Sequence, residues 1–152
     1  MAIRMKTTVV LKANADCPSH SLAKVAARDL EFVIDEPAER GGTNLGPTPT
    51  ETAIAALIGC TNVIGHKCAG ALGVDIGHLT IDAECSFDRR GVTLAEEIEV
   101  PFQSVLLTVR SNGSADQEEL NKVGAEVEKF CPLSKLFQNA GTDVRVEWIA
   151  GG

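Results

Sequence analysis

The sequence is short of positive charge: 14 lysines and arginines stand against 21 aspartates and glutamates in 152 residues, a formal net charge of −7. A chain of that sign repels a phosphate backbone instead of releasing its counterions, so nucleic acid is not an expected partner. Long apolar runs are also missing. The most apolar stretch, Ala53 to Gly65, is too short for a bilayer and is interrupted by Thr61 and Asn62 before His66 and Lys67 end it, so no membrane span is expected. The stretch from Met1 to Val10 lacks the apolar segment and small-residue cleavage site of a signal peptide, from which a cytoplasmic protein is expected. No thioredoxin-type C-x-x-C and no G-x-S-x-G elbow occurs. The Gly-rich stretch from Ala38 to Pro47 has neither a dinucleotide fingerprint nor the lysine of a P-loop, and no cofactor is demanded.

What the chain does have is 44% hydrophobic residues, enough at this length for one compact domain spanning residues 1–152. Its five cysteines, Cys17, Cys60, Cys68, Cys85 and Cys131, form an odd set without an export signal. A structural disulfide framework is therefore not expected, and the thiols should be reduced at rest. Cys17 and His20 have C-x-x-H spacing, but no second such pair completes a tetrahedral site, so no metal is expected.

Period-two alternation predicts strands over Thr7–Ala13 and Leu30–Asp35, with Asp16–His20 as a turn between them. Thr48-Pro49-Thr50-Glu51 supplies an N-cap threonine, proline at the first helical position and a glutamate able to close a capping box. The helix it opens should run to about Leu72 and stop at Gly73. That helix is apolar on most sides, and Gly59, Gly65 and Gly70 would let a second backbone come close, so a packed partner helix, from another subunit, is expected. Strands over His78–Asp88, Phe102–Arg110 and Asp143–Trp148, with helices from Ser114 to about Phe130 and from Pro132 to before Gly141, complete an α+β sandwich.

Cys131 precedes Pro132, which puts its thiol at the N-cap of the last helix, where free amides and the helix dipole favour thiolate. The plain alternative is a small buried residue capping a turn. Cys60, among Ala, Leu and Ile, reads as core unless a positive charge lies nearby, and an arginine is the natural supplier. Glu51 is the carboxylate on the same helix, but nine residues at about 100° each put it roughly half a turn from Cys60. It serves the capping box, a cysteine of the partner subunit, or both. Cys68 and Cys85 read as buried small residues, and His66 as a packing or partner-contact residue.

Gly42-Thr-Asn-Leu-Gly-Pro-Thr-Pro-Thr-Glu51, Ala55-Ala-Leu-Ile-Gly-Cys60 and Cys131-Pro-Leu-Ser134, in that order, resemble the OsmC/Ohr family of osmotically inducible and organic hydroperoxide resistance proteins. The resemblance implies an OsmC-like fold of antiparallel sheets around long central helices, in an intertwined homodimer. It implies a thiol peroxidase for organic hydroperoxides, needing no cofactor. In it, Cys60 attacks the peroxide and becomes a sulfenic acid, Cys131 condenses with it to a disulfide, and an external thiol or dithiol restores both. Glu51 matches the family's glutamate, which pairs with an arginine to hold the first cysteine ionised. Arg28 is the first candidate for that arginine and Arg40 the second. The segment where the best-known peroxidases carry theirs reads here as Asp16-Cys-Pro-Ser-His20, and this departure keeps a second reading open: a non-catalytic dimer of the same fold that binds a small ligand or senses oxidation.

Overall fold

The computed structural model describes residue 3 and residues 5–151; Met1, Ala2 and Arg4, part of the amino-terminal stretch read above, and Gly152 lie outside the described residues. The chain divides into two compact units, Met1–Thr52 and Ala53–Gly152.

The first unit is a three-stranded antiparallel sheet in the order β1 (Asn14–Asp16), β2 (Ala23–Ala27) and β3 (Leu30–Ile34), followed by a short 3-10 turn at Ala38–Arg40. The strand expected over Thr7–Ala13 does not form, and Val9, Val10 and Leu11 are exposed. The register gives the reason. Asn14 pairs with Ala26, so residues before Ala13 run past the end of β2, where Arg28 and Asp29 already turn the chain into β3. Alternation gives a segment the capacity to pair; a ladder also needs a neighbour of sufficient length. Conversely β2, Ala-Lys-Val-Ala-Ala, has little strand propensity of its own and is held by ladders on both sides.

Asp35 organises the loop that follows. Its buried carboxylate accepts hydrogen bonds from the Thr43 hydroxyl and from the amides of Glu36 at 2.7 Å and Leu45 at 3.1 Å, while its own amide donates to the Pro47 carbonyl at 3.0 Å. The loop lies so close to β3 that a Cβ on Gly46 would meet the Val33 carbonyl oxygen at 2.3 Å. The Thr43 hydroxyl, aided by the Leu45 and Glu36 amides, outweighs burial and holds the Asp35 carboxyl well below the usual carboxylate range. A depressed folded-state pKa contributes stability that is fully present above the unfolded value, about 3.9, and is lost as pH falls through the folded one. The urea midpoint should therefore drop below about pH 4, and Asp35→Asn should flatten that acid limb while lowering the midpoint at neutral pH. An acid limb unchanged in the variant would show that Asp35 is not its source.

Helix α1 (Pro49–Leu72) starts as its sequence dictates: the Thr48 hydroxyl accepts from the Glu51 amide at 3.1 Å, and the Glu51 carboxylate accepts from the Thr48 amide at 2.9 Å. It ends in a Schellman motif, with Gly73 at φ 68°, Gly73 N–H donating to Gly70 and Val74 N–H to Ala69.

The second unit contains most of α1 and continues with β4 (Leu79–Phe87), β5 (Phe102–Ser111), α2 (Gln117–Phe130), α3 (Pro132–Asn139) and β6 (Asp143–Ile149). The α+β class and the element order follow the sequence, but the expected all-antiparallel pairing does not hold throughout. β4 and β5 are antiparallel, whereas β5 and β6 are parallel, because the α2–α3 crossover returns the chain to the end of the sheet from which β5 began. Leu57 and Ala69 of α1, Val105, Leu107 and Val109 of β5, and Leu120, Val123 and Val127 of α2 form the buried core. Trp148 of β6 is wedged between helices: a Cβ on Gly65 of α1 would lie 2.9 Å from its Cη2, and one on Gly124 of α2 would lie 2.7 Å from its Cδ1. Gly65 thus admits a side chain and not the expected helix backbone, while a Cβ on Gly59 or Gly70 meets nothing within 4 Å. At the end of β6 the Gln117 side-chain amide donates to the Trp148 carbonyl and accepts from the Ala150 amide at 3.0 Å, in the manner of a neighbouring strand.

Candidate functional site

Cys60 and Cys131, 71 residues apart in sequence, meet inside the second unit, the Cys131 thiol donating to the Cys60 sulfur at 3.3 Å. Cys60 is half-buried on the middle of α1, and Cys131 is fully buried. The position of Cys131 is fixed twice over. It is the C-cap of α2, its amide donating to Val127 at 2.9 Å, and the N-cap of α3, with backbone angles of −72° and 110° that no helix interior would allow. Pro132, lacking an N–H, is suited to the first position of α3.

The Ser134 amide donates to the Cys131 sulfur at 3.4 Å, so the sulfur occupies the place of an N-cap oxygen. Sequence reasoning named the cap but not this donor, although the third residue after an N-cap is where such a donor stands. The expected thiolate preference does not carry the balance. Burial pushes the Cys131 thiol up; the Ser134 amide pulls it down by less, and the adjacent Cys60 sulfur adds to the rise. Burial likewise pushes Cys68 and Cys85 up. Cys17 is exposed in the link between β1 and β2. His66 is exposed, its ring nitrogens against the Asn62 and Gly77 carbonyl oxygens at 2.9 and 3.1 Å.

Glu51 and the two candidate arginines belong to the first unit. The Glu51 carboxylate is exposed and serves the capping box. Arg28 is the exposed first residue of the two-residue β2–β3 turn, at φ 57°, and Arg40 is ion-paired with Glu36 at 2.8 Å. Among the described residues no arginine forms an ion pair with Glu51. No group of three or more metal-ligating side chains occurs among them, and no helix among them is long and apolar enough to cross a membrane.

Two sulfurs in hydrogen-bonding contact, one reachable and one enclosed, can interconvert between a dithiol and a disulfide with little movement. A disulfide needs about 2.05 Å between the sulfurs, so the observed 3.3 Å leaves roughly 1.2 Å to close.

The family model for OsmC-like protein matches residues 42–147, which include both cysteines and Glu51. No curated protein matches the chain. Solved structures match its fold at low identity. An OsmC-like protein from Mycoplasma pneumoniae has a TM-score of 0.79 at 16% identity, covering 95% of this chain and 99% of that one. An organic hydroperoxide resistance protein OsmC from Legionella pneumophila has a TM-score of 0.71 at 20% identity, covering 95% and 99%. The organic hydroperoxide resistance protein OhrB of Bacillus subtilis has a TM-score of 0.64 at 20% identity, covering 92% and 98%.

Proposed function

The chain belongs to the OsmC-like protein family, and from that premise we propose that it is a thiol peroxidase for organic hydroperoxides, with Cys60 attacking and Cys131 resolving. The observation that carries this reading is the 3.3 Å contact between a half-buried and a fully buried thiol. The more accessible sulfur is the one a peroxide can reach. The Cys60 thiolate attacks one peroxide oxygen, the O–O bond breaks, and the departing alkoxide takes a proton to leave as the alcohol. Cys60 is then a sulfenic acid. The Cys131 sulfur displaces its hydroxyl, releasing water and forming the disulfide, and an external dithiol is oxidised as it returns both thiols.

Glu51 and an arginine make up the charged pair that this reading takes from the family resemblance. Arg28 is favoured over Arg40, which already pairs with Glu36. A homodimer accompanies this reading. α1 exposes Ala55, Ala56, Gly59 and Val63, a face of small and apolar residues suited to a second helix, and monomeric protein in sedimentation at micromolar concentration would rule that dimer out.

One equivalent of an organic hydroperoxide added to the reduced protein, followed by peptide mapping, tests the chemistry. The expected product is a Cys60–Cys131 disulfide with Cys17, Cys68 and Cys85 still free. Unreacted thiols, or pairing scattered over the other three, would leave a binding protein with the family's fold.

A further inference from the structure

We infer that the reductant attacks the Cys60 sulfur of the disulfide and never the Cys131 sulfur, so that Cys131 is always the leaving group and every mixed disulfide forms on Cys60. This rests on the redox reading above, and it assigns the chemistry of the recycling half-reaction, which that reading leaves open.

Thiol–disulfide exchange is an in-line displacement: the incoming thiolate must approach one sulfur along the extension of the S–S bond. Cys131 has no exposed surface, closed in as the shared cap of α2 and α3, so no approach of that kind exists to it. Cys60 keeps part of its surface open on α1. Leaving-group quality argues the other way. Burial pushes the Cys131 thiol up, and exchange is slower when the departing thiol is a weak acid. The two effects differ in kind, because leaving-group acidity grades a rate whereas enclosure removes the trajectory. Access therefore decides. The Ser134 amide, 3.4 Å from the Cys131 sulfur in the reduced state, is placed to receive the departing thiolate.

The step balances. The thiolate of an external dithiol bonds to the Cys60 sulfur, the Cys60–Cys131 bond breaks, and its electron pair leaves on Cys131, which then takes up a proton. The second thiol of the reductant then attacks its own sulfur in the mixed disulfide and releases Cys60. Net, one dithiol becomes a disulfide and the protein regains two thiols. A monothiol has no such second group, and the Cys131 thiolate beside Cys60 can expel it again.

The test starts from the intact protein oxidised in two separate ways, with an organic hydroperoxide and with diamide. Each sample receives excess 2-mercaptoethanol, is quenched in acid at early times, and is labelled with a maleimide in denaturant at low pH before peptide mass mapping. The expected result is the mercaptoethanol adduct on the Cys60 peptide and the maleimide on the Cys131 peptide in both samples. An adduct on Cys131 overturns the inference while leaving the peroxidase reading intact. If only diamide makes the disulfide and the adduct still lies on Cys60, the inference stands and the peroxidase reading falls. Failure of both oxidants to link the two cysteines overturns both.

Discussion

The proposed chemistry requires that Cys60→Ser abolish consumption of an organic hydroperoxide, with a fall on the order of 10³-fold or more, because a hydroxyl is not ionised near neutral pH and cannot replace a thiolate nucleophile. Cys131→Ser should act differently. The first turnover survives, since Cys60 still meets the peroxide, but the sulfenic acid has no neighbour to condense with and persists until dimedone traps it or further peroxide drives it to sulfinic acid. The second variant also carries its own structural control. Serine is among the preferred N-cap residues, so α3 keeps its cap while losing the sulfur. Peroxide consumption in single and multiple turnovers, with mass spectra of the Cys60 peptide, separates the two behaviours. Equal loss in both variants during a single turnover would remove the division of labour between the thiols.

The largest effect on stability should come from Trp148. Its indole fills the space left by the missing side chains of Gly65 and Gly124, so Trp148→Ala empties a junction of two helices and a strand and should cost about 3–5 kcal/mol. Gly65→Ala tests the same junction from the other side. Helix propensity alone would reward alanine by up to about 1 kcal/mol, but a methyl 2.9 Å from the indole carbon must displace a side chain packed on several sides, an overpacking cost of about 1–3 kcal/mol. The net change should be a loss. Gly70→Ala, in the same helix with open space at the Cβ, should gain up to about 1 kcal/mol. Urea unfolding of the three variants decides the matter, and a stabilising Gly65→Ala would show that the indole yields freely.

These contrasts show where sequence reading succeeds. Helix ends were legible because their signals are local: Thr48 with Glu51, Gly73, and Cys131 with Pro132 each act within a few residues of where they stand. β4, β5 and β6 were legible from alternation. The pairing of the candidate thiols was legible only through family resemblance, since nothing in the 70 intervening residues says that Cys60 and Cys131 touch. Other features were hidden because they depend on long-range geometry. The Thr7–Ala13 segment has the pattern of a strand, but only Ala27 remains of β2 beyond the pairing partner of Asn14. Gly65 and Gly59 look alike in sequence, and only the position of Trp148 separates them. Asp35 gave no signal at all, because its donors, Thr43 and Leu45, reach it only after the Gly-rich loop has folded back.

Gln117 has an effect on how the protein behaves when crowded. β6 is an edge strand, and an unprotected edge is where one chain recruits the next into fibres. By bonding to the Trp148 carbonyl and the Ala150 amide, the Gln117 amide fills the sites from which such growth would start at that end of the sheet. An incoming strand must first displace it, so a single side chain acts there as a guard against aggregation.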